Sequence, residues 1–420
     1  MASPLFSIVI PTFNRCDMFP FAVRSILRQT YENYEVIISD NYSTDMTPQV
    51  AAQFTDRRVR YVRTPQHYRI ADSWEFARSH ANGTFILMLS DDDALAASAL
   101  RQFQDQAQRY EADFLFSGVV EYCDKSFPGS ARNTVSCPAF SGTTRRVSVD
   151  EFVRPFCAWQ PLFHLHPSAF VFAKSISDRV VQRIGRYFWT NGVEYSAWLM
   201  TAVLAKAIVY IDLPLAICGH TSKSWTSNIS LYNPGKEPIR TLLDDIDREQ
   251  YAPLNNVTMS NMMAEGILLA KRLFPQELGP YEFNEVNYLR GTVKELRRRR
   301  AMGVDVSAEL EEAVHYAERY PSLHEELRRT EAKDRAYRWI RQLRGVVADV
   351  GGRELRRRVR AFQLRRKLGK RPVRSHVFAR GKDFGFEDVL GCAAFIDRII
   401  HSNVAEPRAA REGRLEHTTA

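Results

Sequence analysis

The chain has few cysteines and no long apolar run. Its six cysteines, at positions 16, 123, 137, 157, 218 and 392, form no CxxC pair and no small-domain disulfide framework. No stretch reaches about 18 uninterrupted apolar residues, and the first fifteen residues lack the basic region, apolar run and cleavage site of a secretory leader. These absences predict reduced thiols in a cytoplasmic protein that is neither secreted nor membrane-spanning.

The composition is otherwise that of a globular protein, with 45% hydrophobic and 25% charged residues in 420. This length predicts two folded regions and a tail. The net charge of +9 is unevenly spread, because eleven Lys or Arg against one acidic residue fall between Arg353 and Arg374. That basic run needs its own explanation.

Short apolar runs alternate with segments of helical spacing in the first hundred residues. The runs predict strands at Phe6–Pro11, Tyr34–Ser39, Val59–Val62 and Phe85–Leu89, and the segments between them predict helices at Met18–Gln29, Thr47–Phe54 and Ile70–Ala81. Alternation of this kind predicts an α/β fold, with a Rossmann-like, mostly parallel sheet flanked by helices.

The rest of the chain is less regular at first and then helical. Strand patterns at Asp113–Ser117, Ala169–Phe172 and Ala207–Ile211 are followed, from about Asn255, by helical and charged segments. We therefore expect the sheet domain to be followed by a helical carboxyl-terminal region.

Three predicted strands end in polar residues, at the edge of the sheet where α/β proteins bind ligands. Asp91, Asp92 and Asp93 directly follow the fourth strand. Three adjacent carboxylates repel one another, so a divalent cation such as Mg²⁺ or Mn²⁺ is a natural partner. In isolation the triplet is more typical of a solvated acidic turn or a helix cap, and its place directly after a buried strand favours the metal site.

The other two strand ends supply further candidates. Thr12, Asn14 and Arg15 follow the first strand, where their side chains could bond a nucleobase or phosphate beside a helix N-terminus. Asp40 ends the second strand and could accept from a ring N–H of a base such as uracil. Ordinary turn chemistry accounts for either group when it is taken alone.

Together these residues carry a resemblance. The blocks at 7–15 (SIVIPTFNR), 34–45 (YEVIISDNYSTD) and 83–93 (GTFILMLSDDD) resemble the three opening blocks of the family 2 glycosyltransferases. The match is good over residues 5 to 100 and thinner to about 230. The resemblance implies a GT-A fold and an inverting transfer from a nucleotide-activated sugar.

The resemblance also implies roles for individual residues of the donor site. Nucleotide-sugar contacts would come from Pro11, Thr12, Asn14, Arg15, Asp40, Arg69, Asp91 and Asp92. Among these, Asp40 would meet the base, which favours a UDP-sugar, and Arg69 would contact the uridine or diphosphate.

The family pattern has an acidic residue where this chain has Ser90. Aligned that way, Asp92 becomes the metal ligand and Asp91 faces the ribose, whereas an Asp91-x-Asp93 alignment moves the ligand. His220 lies where the family often has a histidine, and it could meet the metal or diphosphate or be structural. The implied cofactor is Mn²⁺ or Mg²⁺.

Glu194 occupies the position of the family's general base. The segment Gly192–Leu199 resembles the family's Glu-Asp block, although Val193 replaces the first acid and Glu194 the second. A partly buried Glu suits proton abstraction from an acceptor hydroxyl. The alternative is that Glu194 only stabilises a helix N-terminus. Nearby, His164 and His166 lie in an aromatic segment that lines the acceptor groove or belongs to the core.

The basic run has two interpretations. Leu355, Val359 and Phe362 recur at helical spacing among the cations between Arg353 and Arg374. Such a basic amphipathic helix is typical of contact with an anionic membrane surface. A solvated helical hairpin that packs on the first domain is the alternative. No motif supports nucleic-acid binding.

The sequence thus predicts a hexosyltransferase-type enzyme that acts on a glycan or lipid-linked acceptor in bacterial surface polysaccharide assembly, at the inner face of the membrane. We expect a catalytic domain at 1–235, in which residues 1–110 bind the nucleotide-sugar and residues 111–235 form the acceptor side. A helical region at 236–350 and a basic segment with tail at 351–420 would follow, and the helical region could also serve homo-oligomerisation.

Two alternative functions are a non-catalytic nucleotide-sugar-binding or scaffold protein of the same fold and a nucleotidyltransferase. The nucleotidyltransferase would need a Gly-rich phosphate loop after the first strand.

Overall fold

The computed structural model describes residues 5–127, 131–190, 192–224, 251–330 and 377–404. These residues form one large sheet with helices packed around it. The strands are β1 Phe6–Thr12, β2 Tyr34–Asp40, β3 Val59–Arg63, β4 Phe85–Met88, β5 Ala94–Leu95, β6 Phe114–Cys123, β7 Thr134–Cys137, β8 Thr144–Val147, β9 Phe170–Ala173, β10 Ile208–His220 and β11 Val377–Arg380.

Helices connect and cover these strands. They are α1 Phe19–Leu27, α2 Thr47–Ala51, α3 Ile70–Ser79, α4 Ala99–Tyr110, α5 Val149–Cys157, α6 Lys174–Ile184, α7 Val193–Leu204, α8 Met259–Leu273, α9 Pro275–Leu278, α10 Glu285–Ala301, α11 Ser307–Tyr316, α12 over 321–330, α13 Gly381–Phe384 and α14 Val389–Val404. Within the described ranges, no helix combines the length and the apolar character needed to span a bilayer.

The sheet has a parallel half and an antiparallel half. Its main path runs β11-β7-β6-β9-β4-β1-β2-β3. The four strands from β4 to β3 are parallel, whereas β9, β6, β7 and β11 join antiparallel to their neighbours. The parallel half arises from right-handed crossovers through α1, α2 and α3. The predicted α/β fold with a helical carboxyl-terminal region is confirmed.

The inner strands of the parallel half form because they are apolar along nearly their whole length, whereas the edge strand β3 alternates apolar and basic residues. Every residue of β2 is buried, and β1 is buried except for Pro11. A strand covered by helices on both faces needs such a run rather than an alternation. On the antiparallel side the core is aromatic, and Phe170 stacks on Phe114, Phe116 and Trp198 with ring centroids 5.5, 5.3 and 4.2 Å away.

The helical region has a smaller core of its own. Tyr288, Leu289, Val293 and Leu296 project from α10 and are buried against α8, α11 and α12. Helix α8 also supplies Ile267 and Ala270 to the main core. The helical region is therefore packed directly onto the sheet domain through α8.

Residues 377–404 belong structurally to the sheet domain. Strand β11 extends the sheet beside β7, and α14 contributes Cys392, Phe395 and Ile396 to the main core. The sequence predicts a basic segment with a tail at 351–420. Residues 377–404 of that segment are instead folded into the sheet domain. The basic run between Arg353 and Arg374 lies outside the described residues, so the predicted membrane contact stays a prediction.

Candidate active site

A cavity opens at the carboxyl ends of the parallel strands. Its volume is about 250 Å³, and it is open to solvent on one side. It is lined by Pro11, Thr12, Phe13, Arg15, Asn41, His67, Tyr68, Ile70, Ser73, Trp74, Ser90, Asp91, Asp92, Asp93, His166, Cys218, Gly219, His220 and Ser224. The strand ends that the sequence singled out therefore meet at one place.

The three aspartates point in different directions. Asp91 accepts hydrogen bonds from Thr12 Oγ1 at 2.8 Å and from Arg15 Nη1 at 2.7 Å. Asp92 lies 3.4 Å from the same Arg15 nitrogen and accepts from Ser224 Oγ. Asp93 accepts from the Gly219 N–H at 2.8 Å and from Ser168 Oγ. Each carboxylate is thus held by a different portion of the cavity wall.

Burial of this acidic group has a clear electrostatic consequence. Asp91 is 6% and Asp93 1% exposed. Desolvation raises the pKa of Asp91 to about 6, although the Arg15 cation opposes the shift, and desolvation together with the Asp92 charge raises the pKa of Asp93 well above its ordinary value. A divalent cation would relieve both shifts, and the carboxylate oxygens fit the preference of Mg²⁺ and Mn²⁺.

The turn after β1 brings two of its predicted ligands to the cavity and turns the third away. Thr12 and Arg15 line the cavity with Pro11. Asn14 does not line it: its φ is +52°, and its Oδ1 accepts from the backbone N–H of Thr44 at 2.8 Å. Asn14 thereby ties the β1 turn to the β2 turn.

Asp40 lies beside the cavity without lining it. The residue is fully buried, and its carboxylate accepts from the Ser43 N–H at 2.8 Å and from Tyr61 Oη at 2.5 Å. Its neighbour Asn41 reaches the cavity instead, and clamps the Tyr68 backbone through paired 2.8 Å hydrogen bonds. The turn-capping contact expected of Asp40 is present, and base recognition by Asp40 remains a prediction.

Arg69 and Glu194 also lie outside the set of lining residues. Arg69 is the N-cap of α3, between Tyr68 and Ile70, which do line the cavity. Glu194 lies in the first turn of α7, where burial raises the pKa of its carboxyl to about 7. Glu194 thus has the basicity of a proton acceptor near neutral pH, although it is not among the residues that line the cavity.

Several site residues are not predictable from the sequence. Glu121 on β6 pairs with His164 Nε2 at 2.8 Å and with His220 Nε2. Ser168 holds Asp93, and His166 Nδ1 lies 3.3 Å from the Asp93 carboxylate without making a hydrogen bond. The sequence identifies His164 and His166 only as members of an aromatic segment. A single carboxylate in an otherwise largely apolar strand is the available signal for Glu121.

Glu121, His164 and His220, which we call the Glu121 network, place ionisable groups beside the cavity. Although burial acts to raise it, hydrogen bonds from the two histidines hold the pKa of Glu121 well below its usual range. Burial acts to lower the pKa of His220, yet that pKa is raised because the Glu121 carboxylate accepts a hydrogen bond from the ring. Desolvation lowers the pKa of His166 to about 4. The pKa values of His166 and His220 are therefore shifted in opposite directions within the same cavity lining.

Residues 7–181 match the model of the family described as "Glycosyl transferase family 2". The match covers 175 of the 420 residues, so it is this part of the chain that is similar to the family. The matched residues include β1 to β4, the Asp triplet and β9, so the GT-A domain assigned from the opening blocks is the sheet domain described above.

Curated relatives match a portion of the chain. A Campylobacter jejuni GalNAc(5)-diNAcBac-PP-undecaprenol beta-1,3-glucosyltransferase is 31% identical over 28% of this chain and 39% of its own length. The Escherichia coli UDP-Glc:alpha-D-GlcNAc-diphosphoundecaprenol beta-1,3-glucosyltransferase WfgD is 28% identical over 30% of this chain and 49% of its own length. The chain thus spans about two fifths to one half of these relatives. Among solved structures, S. aureus TarS 1–349 in complex with UDP-GlcNAc aligns at 15% identity over 77% of this chain and 92% of that chain, with a TM-score of 0.47.

Proposed function

We propose that the protein is an inverting glycosyltransferase that moves a sugar from a UDP-sugar to a hydroxyl group of a lipid-linked glycan. The observation that carries the proposal is the convergence of Thr12, Arg15 and the Asp triplet in one cavity at the carboxyl ends of parallel strands. The match of residues 7–181 to the family 2 model supports the reaction class. The two glucosyltransferases above, whose names specify undecaprenol-linked substrates, support the donor and the acceptor.

In this proposal the Asp triplet holds a divalent cation together with the donor diphosphate. All three carboxylates accept hydrogen bonds. Asp92 is the leading ligand because the family pattern, aligned with Ser90 at its first acidic position, places the metal ligand there. Such a cation, Mn²⁺ or Mg²⁺, supplies electrostatic stabilisation of the leaving diphosphate. Arg15 then orients Asp91 and adds a positive charge beside the phosphates.

Glu194 is the proposed general base. Its raised pKa matches the task of accepting a proton from an acceptor hydroxyl near neutral pH. To act directly, its carboxylate must reach the acceptor hydroxyl in the cavity. A non-catalytic nucleotide-sugar-binding protein is the second candidate, and the absence of Glu194 from the residues that line the cavity is the observation that favours it.

A transfer assay separates the two candidates. UDP-sugar turnover is measured with and without an undecaprenyl-diphosphate glycan acceptor, for wild type, Asp92→Asn and Glu194→Gln. We expect each variant to lose at least about a hundredfold in rate, whereas the exposed controls Asp105→Asn and Glu318→Gln retain it. Full activity of Glu194→Gln would remove Glu194 as base. UDP binding without turnover of any donor would favour the binding protein.

A further inference from the structure

Strands β6 and β10 bring a sulfur, a nitrogen and an oxygen donor together beside the Asp triplet. The two strands run parallel, and Cys218 pairs in register with Glu121. Because side chains alternate along a strand, Cys218 and His220 share one face, the face that Glu121 also occupies. Donor atoms of Glu121, Cys218 and His220 all lie within 4.8 Å of one another.

The donor set differs in kind from the Asp triplet. A thiolate, an imidazole and a carboxylate are the ligands that zinc takes in proteins, whereas Mg²⁺ and Mn²⁺ prefer oxygen alone. The distance between Cys218 Sγ and His220 Nε2 is 3.8 Å. Tetrahedral zinc with ordinary Zn–S and Zn–N bonds requires about 3.6 Å between such donors. The backbone already holds this pair close to that separation.

The surroundings are those of a built site rather than a surface cluster. Cys218 is 5% exposed, and the two strands that carry the donors are paired along most of their length, β6 with β7, β9 and β10, and β10 with β5, β6 and β8. His164 Nε2 lies 2.8 Å from Glu121 Oε1 and orients that carboxylate, as outer partners of metal ligands commonly do. Cys218 and His220 line the cavity, so a fourth coordination position would face it.

We propose that Glu121, Cys218 and His220 bind a zinc ion whose open fourth position faces the substrate cavity. This site is separate from the magnesium or manganese site proposed at the triplet. Asp93 and His166 form a second group around Cys218, which places the zinc ion at the junction between the triplet and the histidine-rich wall. Without zinc, the same residues would form only the hydrogen-bonded network of Glu121 with its two histidines.

The test measures metal, not activity. The full chain is purified without chelator, its metal content is determined by mass spectrometry, and the stripped protein is titrated with Zn²⁺ against a chromogenic chelator and with Co²⁺ by absorbance. We expect one zinc per chain and a thiolate-to-cobalt charge-transfer band. Loss of a ligand should weaken zinc binding by at least about tenfold in Cys218→Ser, His220→Gln and Glu121→Gln.

Matched control variants distinguish the proposed zinc site from the donor site. Cys16→Ser removes a thiol elsewhere, and Asp92→Asn removes the leading ligand of the triplet; both should keep the zinc and the cobalt band. His220 and Glu121 are partly exposed, with side-chain exposures of 22% and 28%, so their variants test the site even if Cys218→Ser fails to fold. Wild-type protein that takes up no stoichiometric zinc, or variants that bind it as tightly as wild type, would overturn the proposal whether or not the enzyme transfers sugar.

Discussion

Gly219 is the residue on which the approach of β10 to the Asp triplet depends. A Cβ at this position would lie 1.9 Å from the Asp92 carbonyl oxygen and 2.9 Å from its carbonyl carbon. The Gly219 N–H also donates to Asp93. Any side chain here must therefore push the triplet or the end of β10 out of place.

We expect Gly219→Ala to lower the transfer rate by roughly a hundredfold, since a displacement of about 1 Å at a catalytic group has that effect. Initial-rate transfer assays measure it. Gly303→Ala is the control, because Gly303 has a φ of +92° and open space around it, so its substitution strains the backbone away from the site. Normal transfer and UDP binding by Gly219→Ala would contradict the steric argument.

Glu194 should make the fold less stable as the pH rises. The unfolded chain releases this proton near pH 4.5, but the folded chain keeps it to about pH 7 because burial raises the pKa. The folded state therefore loses stability between these values, by up to about 3 kcal/mol above pH 7. The same shift predicts that transfer increases as the pH rises through 7.

Urea unfolding at pH 5 and pH 8 checks this linkage. Glu194→Gln carries no ionisable proton, so its advantage over wild type should be larger at pH 8 than at pH 5. The exposed control Glu318→Gln should show no such pH dependence. An equal effect of Glu194→Gln at the two values would mean that the carboxyl titrates normally in the folded protein.

At the scale of elements, helix α14 fixes the segment that follows the triplet. Both oxygens of Asp397 lie 2.9 Å from the Ala97 backbone nitrogen, at the loop between β5 and α4. Helix α14 also packs on α1, β5 and β10. The carboxyl-terminal helix therefore supports the loop between β5 and α4, which follows Asp91 to Asp93 in the chain.

Asp397→Ala should lower the free energy of unfolding by about 1–3 kcal/mol, because it leaves a buried N–H without its charged acceptor. Denaturant midpoints provide the measurement. Asp383→Ala, an exposed carboxylate in the same carboxyl-terminal segment, should be neutral. If the two variants unfold at the same midpoint, α14 is not included in the cooperative catalytic core.

The elements that could be predicted are those whose signal is local. β1, β2 and β4 are contiguous apolar runs, β3 is a short alternating one, and their alternation with helices indicates parallel pairing. Strands β7, β8 and β11 have four residues each, and they are defined by partners distant in sequence. The hydrogen bonds of Glu121 with His164 and His220 could not be predicted for the same reason. They depend on the register of β6 against β10, which no local sequence pattern specifies. The triplet was predictable because its strand was.

For the whole molecule, binding of nucleotide and metal should be linked, since both would be held by the triplet. A ligand at a hundred times its Kd adds about 2.7 kcal/mol to the stability of the folded state. For a domain of this size that corresponds to roughly 5–10 °C in Tm. We therefore expect UDP with Mn²⁺ to raise the Tm more than the sum of the two added separately.

Thermal unfolding with UDP, GDP and Mn²⁺, alone and combined, tests both the location of the donor site and the nucleobase that it selects. Asp92→Asn should lose the increment that requires Mn²⁺ and keep any shift from UDP alone, while Asp105→Asn behaves as wild type. A larger shift with GDP would reverse the prediction of a uracil base, and additive shifts would place the cation away from the nucleotide. Because the shift depends on binding and not on turnover, it tests the donor site independently of Glu194.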